Sequence, residues 1–178
     1  MAKDQEPESF AQIALPHLDV AYNLARWLTR DDHLAEDVVQ EAYLRAFRFF
    51  SSFRGGDGRA WLLTIVRNTF YSMRKRDHAA QLHEPFDEEL HDGAVEAGAQ
   101  NGDPEALLMR SAGGQIIREA MDALPAEFRE VLVLREIEEL SYKDIALVAE
   151  VPVGTVMSRL ARARKLLRRQ LERANGGL

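Results

Sequence analysis

The stretch VPVGTVMSRLARARKLLRR, residues 151–169, decides how the C-terminal part of this chain is interpreted. Its Pro and Gly mark a short turn, and a helix is expected to open at Thr155 and to run to Leu171. Counted from Thr155, apolar side chains recur at helical spacing on one stripe, while the basic side chains project elsewhere. The stripe consists of Val156, Leu160, Ala163 and Leu167.

The segment before that turn predicts another helix. SYKD, residues 141–144, has the form of a capping box with Asp in place of the preferred Glu, and apolar residues follow it. A helix, a tight turn and a basic helix in this order form the helix-turn-helix arrangement. Upstream, Leu124-Pro125 starts a further helix of the same bundle.

The side chains on the open faces of the basic helix suit DNA. Arg binds guanine bidentately or clamps a phosphate, and hydroxyls near a helix start suit backbone contacts. The alternative is a solvated basic face on a terminal helix, but the tight turn and the capped helix before it favour DNA binding. The candidate duplex-reading residues are Thr155, Ser158, Arg159, Arg162 and Lys165.

The formal net charge of −6 is unevenly distributed along the 178 residues. Residues 152–178 hold seven Lys or Arg and one acidic residue. Residues 54–76 hold six Lys or Arg and one acidic residue. Residues 77–109 hold nine acidic residues and no Lys or Arg. Two basic islands therefore flank an acidic centre, and the net charge does not argue against DNA binding.

The N-terminal part is predicted to be a compact helical domain. Apolar residues at helical spacing indicate one helix from Ile13 that ends near Thr29 to Asp32, and a second that begins around Leu34 and passes Phe47. A loop rich in turn-forming residues follows at 51–58, and the helical period then resumes at Trp61.

The second basic island differs in kind from the first. Residues 47–71 interleave aromatic residues with arginines around the Gly-rich loop. Aromatic faces stack unpaired bases and arginines hold the backbone, which is the chemistry of single-stranded nucleic acid binding. Taken alone the pattern favours core packing, which is the commoner role of aromatics at helical spacing, with Trp61 as the best exception.

One helix face in the first domain combines acidic and apolar residues. AEDVVQEAYLRAF, residues 35–47, places four side chains at i, i+3, i+4 and i+7. This face is either ordinary solvated surface or a docking patch for a basic partner helix, and periodicity does not choose between them. The four residues are Asp37, Gln40, Glu41 and Leu44.

Composition divides the chain into two domains and a connection. Residues 79–103 carry charge of one sign with few large apolar residues, which is typical of a flexible, solvated linker. We therefore predict domains at 9–78 and 104–174, with Asp103-Pro104 capping the first helix of the second.

Several function classes are excluded or disfavoured by what the chain lacks. It has no cysteine, and its polar N-terminus does not look like a signal peptide, so a cytoplasmic protein without membrane insertion is expected. Walker, HExxH, GxSxG and GxGxxG motifs are missing, which argues against an enzyme. His78, His83 and His91 are loosely spaced in an acidic segment, so neither a metal site nor a cofactor is expected.

Three stretches together resemble a known family. AEDVVQEAYLRAF, SSFRGGDGRAWLLTIVRNTFYSMRKR at 51–76 and the stretch LPAEFREVLVLREIEELSYKDIALVAEVPVGTVMSRLARARKLL at 124–167 are similar, in this order, to the extracytoplasmic-function (ECF) group of bacterial sigma factors. The resemblance covers about residues 9–78 and 105–172. It implies an all-α fold with a region 2 helical bundle and a region 4 helix-turn-helix domain, joined by the acidic linker.

The resemblance also implies roles for the candidate residues. The face of Asp37, Gln40, Glu41 and Leu44 corresponds to the surface that meets the clamp helices of core RNA polymerase. The Ser51–Gly58 loop and the helix after it correspond to the region that captures a flipped non-template base of the minus-10 element. The residues assigned there are Phe53, Arg54, Trp61, Arg67 and Asn68, and those assigned to the minus-35 element are Thr155, Ser158, Arg159, Arg162 and Lys165.

The implied function is that of an alternative sigma factor that directs promoter-specific initiation. Its implied partners are core RNA polymerase, promoter DNA as duplex and as melted strand, and an anti-sigma factor. One position departs from the pattern, because some family members carry a basic residue where this chain has Met157. The minus-35 sequence therefore cannot be transferred from relatives.

Two other functions are weighed against this one. A freestanding helix-turn-helix regulator would use the N-terminal helices to sense a ligand or to dimerise, and the resemblance of residues 35–76 argues against it. A nucleotide second-messenger enzyme is suggested only by GGDG at 55–58, which lacks the Glu-Phe of the GGDEF signature and is expected between helices rather than in a hairpin.

Overall fold

A computed structural model describes residues 9–82 and 112–176, which we call the N-terminal and C-terminal units. Within these two ranges every regular element is helical, so the predicted all-α class is confirmed. The α-helices are α1 (Phe10–Ala14), α2 (Leu18–Thr29), α3 (Asp32–Arg48), α4 (Gly58–Gln81), α5 (Ala112–Asp122), α6 (Ala126–Leu132), α7 (Tyr142–Ala149) and α8 (Val153–Asn175).

The first predicted helix of the N-terminal unit is interrupted. Ser9 starts α1 with a reciprocal capping box to Gln12, and a 3₁₀ turn at Leu15–His17 then separates α1 from α2. Pro16 explains the interruption, because proline supplies no backbone donor and clashes with the preceding turn. The next helix begins two residues before Leu34, since the carboxylate of Asp31 accepts from the Leu34 amide at 2.8 Å.

The loop between α3 and α4 depends on three glycines. Gly55 and Gly56 have φ of 84° and 98°, a backbone conformation that residues with a side chain rarely adopt. A Cβ added to Gly58 would lie 2.7 Å from Cγ2 of Ile13, so the start of α4 approaches the first helix closely. The helix then continues to Gln81, beyond the predicted linker start at 79, where alanines favour helix. Residues 83–103 of that predicted linker, including Asp103, lie outside the described residues.

The C-terminal unit contains an irregular turn that the sequence pattern did not predict. After α6 the chain forms a π-helical turn at Val133–Ile137, closed by the Glu138 amide donating to the Val133 carbonyl at 3.0 Å. The hydroxyl of Ser141 then caps α7 by accepting from the Asp144 amide at 3.1 Å. Only this half of the predicted capping box forms, because the Asp144 carboxylate accepts from the Ser141 hydroxyl instead.

One apolar core runs through both units. Buried side chains of α2, α3 and α4 are continuous with buried side chains of α6, α7 and α8. The two units therefore pack against each other in this structure. In the two described ranges, no helix is long and apolar enough to cross a membrane. His78 is exposed, and His83 and His91 lie outside those ranges.

Candidate nucleic-acid interface

The helix-turn-helix of the C-terminal unit consists of α7, a three-residue turn and α8. Glu150 ends α7 in the left-handed region at φ 55°, and its amide bonds back to carbonyls of that helix. Pro152 is the N-cap of α8, which therefore opens two residues before the predicted Thr155. A tight turn of this kind fixes the angle at which α8 leaves the bundle.

The apolar stripe of α8 faces the core. Val156, Leu160 and Ala163 are at most 1% exposed, and Leu167 is half-buried against them. Packing of this stripe leaves the opposite faces of α8 to the polar side chains. Ser158, Arg162 and Lys165 are exposed, while Thr155 and Arg159 are half-buried.

The candidate DNA-reading side chains of α8 differ in whether other residues of the chain already contact them. Ser158 donates its hydroxyl to the Thr155 carbonyl at 3.0 Å. Arg159 lies 4.0 Å from Glu127, and its Nη1 is buried without a hydrogen-bond partner. Arg162 lies 5.9 Å from the centroid of the Phe128 ring. Met157 is 53% exposed beside them, so an apolar side chain faces outward at the start of the helix.

An aromatic cluster surrounds the Gly-rich loop of the N-terminal unit. The ring centroids of Phe53 and Trp61 are 4.9 Å apart, and Phe50 lies 6.0 Å from the former. Trp61 and Phe53 are half-buried, and Trp61 also packs against the buried core. Asp57 of the GGDG sequence caps α4 by accepting from the Arg59 amide at 2.9 Å, which gives that carboxylate a structural role.

Two of the predicted minus-10 residues are engaged by the C-terminal unit. Arg67 donates Nε to the carboxylate of Glu130, which is fully buried, and Asn68 donates Nδ2 to Glu150 at 3.1 Å. Tyr71 donates its hydroxyl to Glu130 at 3.3 Å. Burial raises the pKa of Glu130, and the guanidinium of Arg67 opposes this by favouring the carboxylate. Arg54 is exposed in the loop.

The acidic and apolar face of α3 is open along most of its length. Asp37 and Gln40 are exposed, and Leu44 is 54% exposed. Glu41 is half-buried and accepts from Nε of Arg45 at 2.8 Å, a hydrogen bond that lowers the pKa of Glu41. Phe47, 66% exposed, extends the apolar part by one turn.

Known families match both units of the chain. The family "Sigma-70 region 2" matches residues 13–79, and "Sigma-70, region 4" matches residues 114–167. These two matches correspond to the aromatic and loop-containing unit and to the helix-turn-helix unit. Together they disfavour a freestanding regulator with an unrelated N-terminal domain.

Individual relatives agree with the family matches. The ECF RNA polymerase sigma factor SigE of Mycolicibacterium smegmatis is 35% identical over 160 residues, and the match covers 90% of this chain and 60% of that relative. The ECF RNA polymerase sigma-E factor of Haemophilus influenzae is 34% identical, and the match covers 86% of this chain and 82% of that relative.

A solved structure shares the fold. The sigma factor RpoE of Bartonella quintana, solved in complex with the anti-sigma factor NepR, is 32% identical with a TM-score of 0.68. The match covers 92% of this chain and 96% of that one. The resemblance drawn from the three sequence stretches is thereby confirmed.

Proposed function

Because this chain belongs to the ECF group of RNA polymerase sigma factors, we propose that it is an alternative sigma factor that brings core RNA polymerase to specific promoters. The observation that supports the proposal is that one chain carries two different surfaces whose side chains suit nucleic acid. One is the exposed basic face of α8, and the other is the aromatic and arginine surface around the start of α4.

The minus-35 element is read by the first half of α8 in the major groove. Arg162 is exposed and supplies a planar fork for guanine or a phosphate, and Lys165 lies one turn further along for a phosphate. Thr155 and Ser158 contact the backbone near the helix start. Met157 offers an apolar contact, which suits the methyl group of thymine.

The minus-10 element is held by the N-terminal unit. Trp61 and Phe53 present ring faces to unstacked bases, while Arg54 and Arg67 contact the backbone of the separated strand. Asn68 hydrogen-bonds a base edge. Capturing a flipped base costs a few kcal/mol of unstacking, which stacking at ~1–3 kcal/mol per base offsets.

Core polymerase is bound through the open face of α3. Asp37, Gln40 and Glu41 meet a basic helix of the polymerase, and Leu44 adds apolar area at the same surface. RNA synthesis is the reaction of the polymerase, so the chain itself performs no chemical step. It works where the polymerase works, in the cytoplasm.

An anti-sigma partner follows from the relative solved with NepR. A groove of about 940 Å³ lies between the two units and combines apolar and cationic side chains. Leu34, Phe70 and Leu124 supply apolar surface there, and Arg74 and Lys75 supply charge. Such a lining suits an amphipathic acidic segment of an anti-sigma factor.

Run-off transcription on genomic fragments tests the proposed function. Bacterial core polymerase with this chain should initiate at discrete positions that core polymerase alone ignores. The variant Trp61→Ala should keep core binding and lose initiation, because strand capture follows recruitment. Identical transcripts with and without the chain would exclude a sigma factor.

A further inference from the structure

A cavity of about 310 Å³ lies between α4 and the helices α6 and α8, and we call it the arginine cavity because three arginines line it. Arg67 and Arg74 come from α4, and Arg159 comes from α8. Among the described residues, Glu127 is the only acidic side chain in this lining. The volume is near the lower end of the range of small-molecule sites, which is ~300–1,000 Å³.

The two arginines of α4 differ in whether their donors are already paired. Arg67 donates Nε to the buried carboxylate of Glu130 and Nη1 to the side-chain oxygen of Asn68 at 3.2 Å. Arg74 is exposed and makes no hydrogen bond or ion pair within the part of the chain that the structure describes. Of these two guanidinium groups, that of Arg74 is therefore the one available to a ligand.

Arg159 carries a buried donor that is not paired. Its side chain is 23% exposed, and its Nη1 is buried without a hydrogen-bond partner among the described residues. Its Nη2 lies 4.0 Å from a carboxylate oxygen of Glu127, which is too far for a hydrogen bond. A buried donor without a partner is unfavourable, because its lost hydration is not replaced. A turn of this side chain that brings Nη1 to an anion in the cavity therefore lowers the free energy.

The chemistry of the lining identifies the class of ligand. The planar fork of a guanidinium donates two parallel hydrogen bonds to the oxygens of a phosphate. Arg74 and Arg159 are on different helices, so two linked phosphates give each arginine its own partner. Tyr71, Pro125 and Ala126 add ring and apolar surface for a group attached to the phosphates. A cavity of this volume holds a small molecule and not a length of duplex.

We propose that the arginine cavity binds a small molecule that carries a diphosphate group, with one phosphate on Arg74 and the other on Arg159. Binding itself needs neither polymerase nor promoter. Its consequence for DNA rests on the proposed function, in which Arg159 is assigned to the minus-35 element. A bound diphosphate occupies Arg159 and therefore competes with promoter duplex. Arg74 is not assigned to DNA, so its replacement separates loss of the ligand from loss of a promoter contact.

Isothermal titration of the full chain with sodium pyrophosphate, at fixed ionic strength and without divalent cations, tests the site. The unchanged chain should bind one pyrophosphate saturably. Arg74→Gln should weaken this binding about tenfold or more, because a charge-assisted contact is lost. The matched control is Arg76→Gln, which removes the same charge from an exposed position on α4 that does not line the cavity. Its dissociation constant should stay within about twofold of that of the unchanged chain.

Two changes in the C-terminal unit test the other wall of the cavity. Arg159→Gln should weaken pyrophosphate binding as much as Arg74→Gln does. Glu127→Gln should tighten it about two- to threefold, because a partly exposed carboxylate beside the anion loses its charge. No saturable binding to the unchanged chain, or equal dissociation constants for Arg74→Gln, Arg159→Gln and Arg76→Gln, would overturn the site.

The competition with DNA is measured by fluorescence anisotropy of a labelled promoter duplex obtained from run-off transcription. Saturating pyrophosphate should weaken binding of the duplex about threefold more than sulfate does at the same ionic strength, because only the diphosphate spans both arginines. In Arg74→Gln the two salts should act alike. Equal effects of the two salts on the unchanged chain, or a pyrophosphate effect that survives in Arg74→Gln, would overturn the competition.

Failure of the diphosphate site and failure of the proposed function give different results. If the site is wrong, the unchanged chain still supports run-off transcription, while pyrophosphate binding is absent or indifferent to Arg74→Gln. If the proposed function is wrong, the chain supports no promoter-specific transcription, while pyrophosphate binding still depends on Arg74 and Arg159.

Discussion

The helices α4 and α8 are alike in length and in their pattern of apolar and basic residues, and they differ in what surrounds them. They are 24 and 23 residues long, and each buries one apolar stripe and carries basic residues on its other faces. On α8, Arg162 and Lys165 are exposed, whereas on α4 the arginines at 59 and 67 are bonded to glutamates of the other unit. Charge patterning thus indicates a candidate nucleic-acid surface, but it does not show whether the basic side chains of that surface are free of other contacts.

The difference has a consequence for the order of binding. In this structure the basic face of α8 is partly open, while Arg67 and Asn68 of α4 are bonded to Glu130 and Glu150. We therefore expect recruitment to polymerase and duplex recognition to precede strand capture.

The largest effect is expected from Arg129→Ala, which removes a link between the units. This guanidinium is 3% exposed and donates to carbonyls at the end of α5 and to Leu28 of α2. Its loss leaves several buried carbonyls unpaired and should lower the free energy of unfolding by about 3 kcal/mol or more. Urea unfolding followed by circular dichroism measures this, with the exposed Lys143→Ala as control. An equal, small loss of unfolding free energy in both variants would show that the hydrogen bonds of Arg129 do not stabilise the contact between the units.

The second effect concerns α8 alone. Arg162→Ala should weaken binding to a cognate promoter duplex by ~1–3 kcal/mol if the side chain binds a base edge. Arg173→Ala, exposed in the last turn of the same helix, is the matched control. Electrophoretic mobility shifts on cognate and scrambled duplexes distinguish the modes of contact, because equal weakening on both would identify a phosphate contact instead.

The third change lies on α3 and leaves both helices intact. Asp37→Asn should weaken binding to core polymerase by about 1 kcal/mol, because a carboxylate that faces a basic helix is lost. Asp19→Asn removes the same charge from an exposed position on α2. Fluorescence titration of labelled core enzyme compares the two, and indistinguishable dissociation constants would remove α3 from the interface.

The smallest effect is a pH dependence at the contact of α4 with Glu130. Burial raises the pKa of Tyr71 to about 12. Since the folded-state pKa lies above the unfolded value of about 10, stability from the neutral phenol is complete below pH 10 and falls as pH rises toward 12. Tyr71→Phe should reduce this alkaline loss in urea unfolding, whereas a loss identical to that of the unchanged chain would exclude Tyr71 as its source.

Sequence patterning was sufficient where structure depends on local spacing. The stripe of Val156, Leu160 and Ala163 and the tight turn before it follow from periodicity and turn chemistry, and the all-α class follows from the same signals. Helix ends were predicted less well. The helix α8 begins at Val153 rather than at the predicted Thr155, because Pro152 is its N-cap.

The contacts between the units could not be predicted. Glu130 and Arg67 are 63 residues apart, and Glu138 and Asn23 are 115 apart. Glu130 lies among apolar residues of α6, and no local sequence feature distinguishes it from a glutamate that is exposed to solvent. Its partner is specified only by tertiary packing, and the π-helical turn that aims Glu138 likewise has no signal in the apolar pattern.

Permanganate footprinting of melted thymines, on a promoter found by run-off transcription, tests whether the surface at the start of α4 captures the separated strand. Core polymerase with this chain should render thymines of the minus-10 region reactive, and Trp61→Ala should abolish that reactivity while core binding persists. Reactivity that is the same with core polymerase alone, or that survives in Trp61→Ala, would contradict strand capture by the surface at the start of α4.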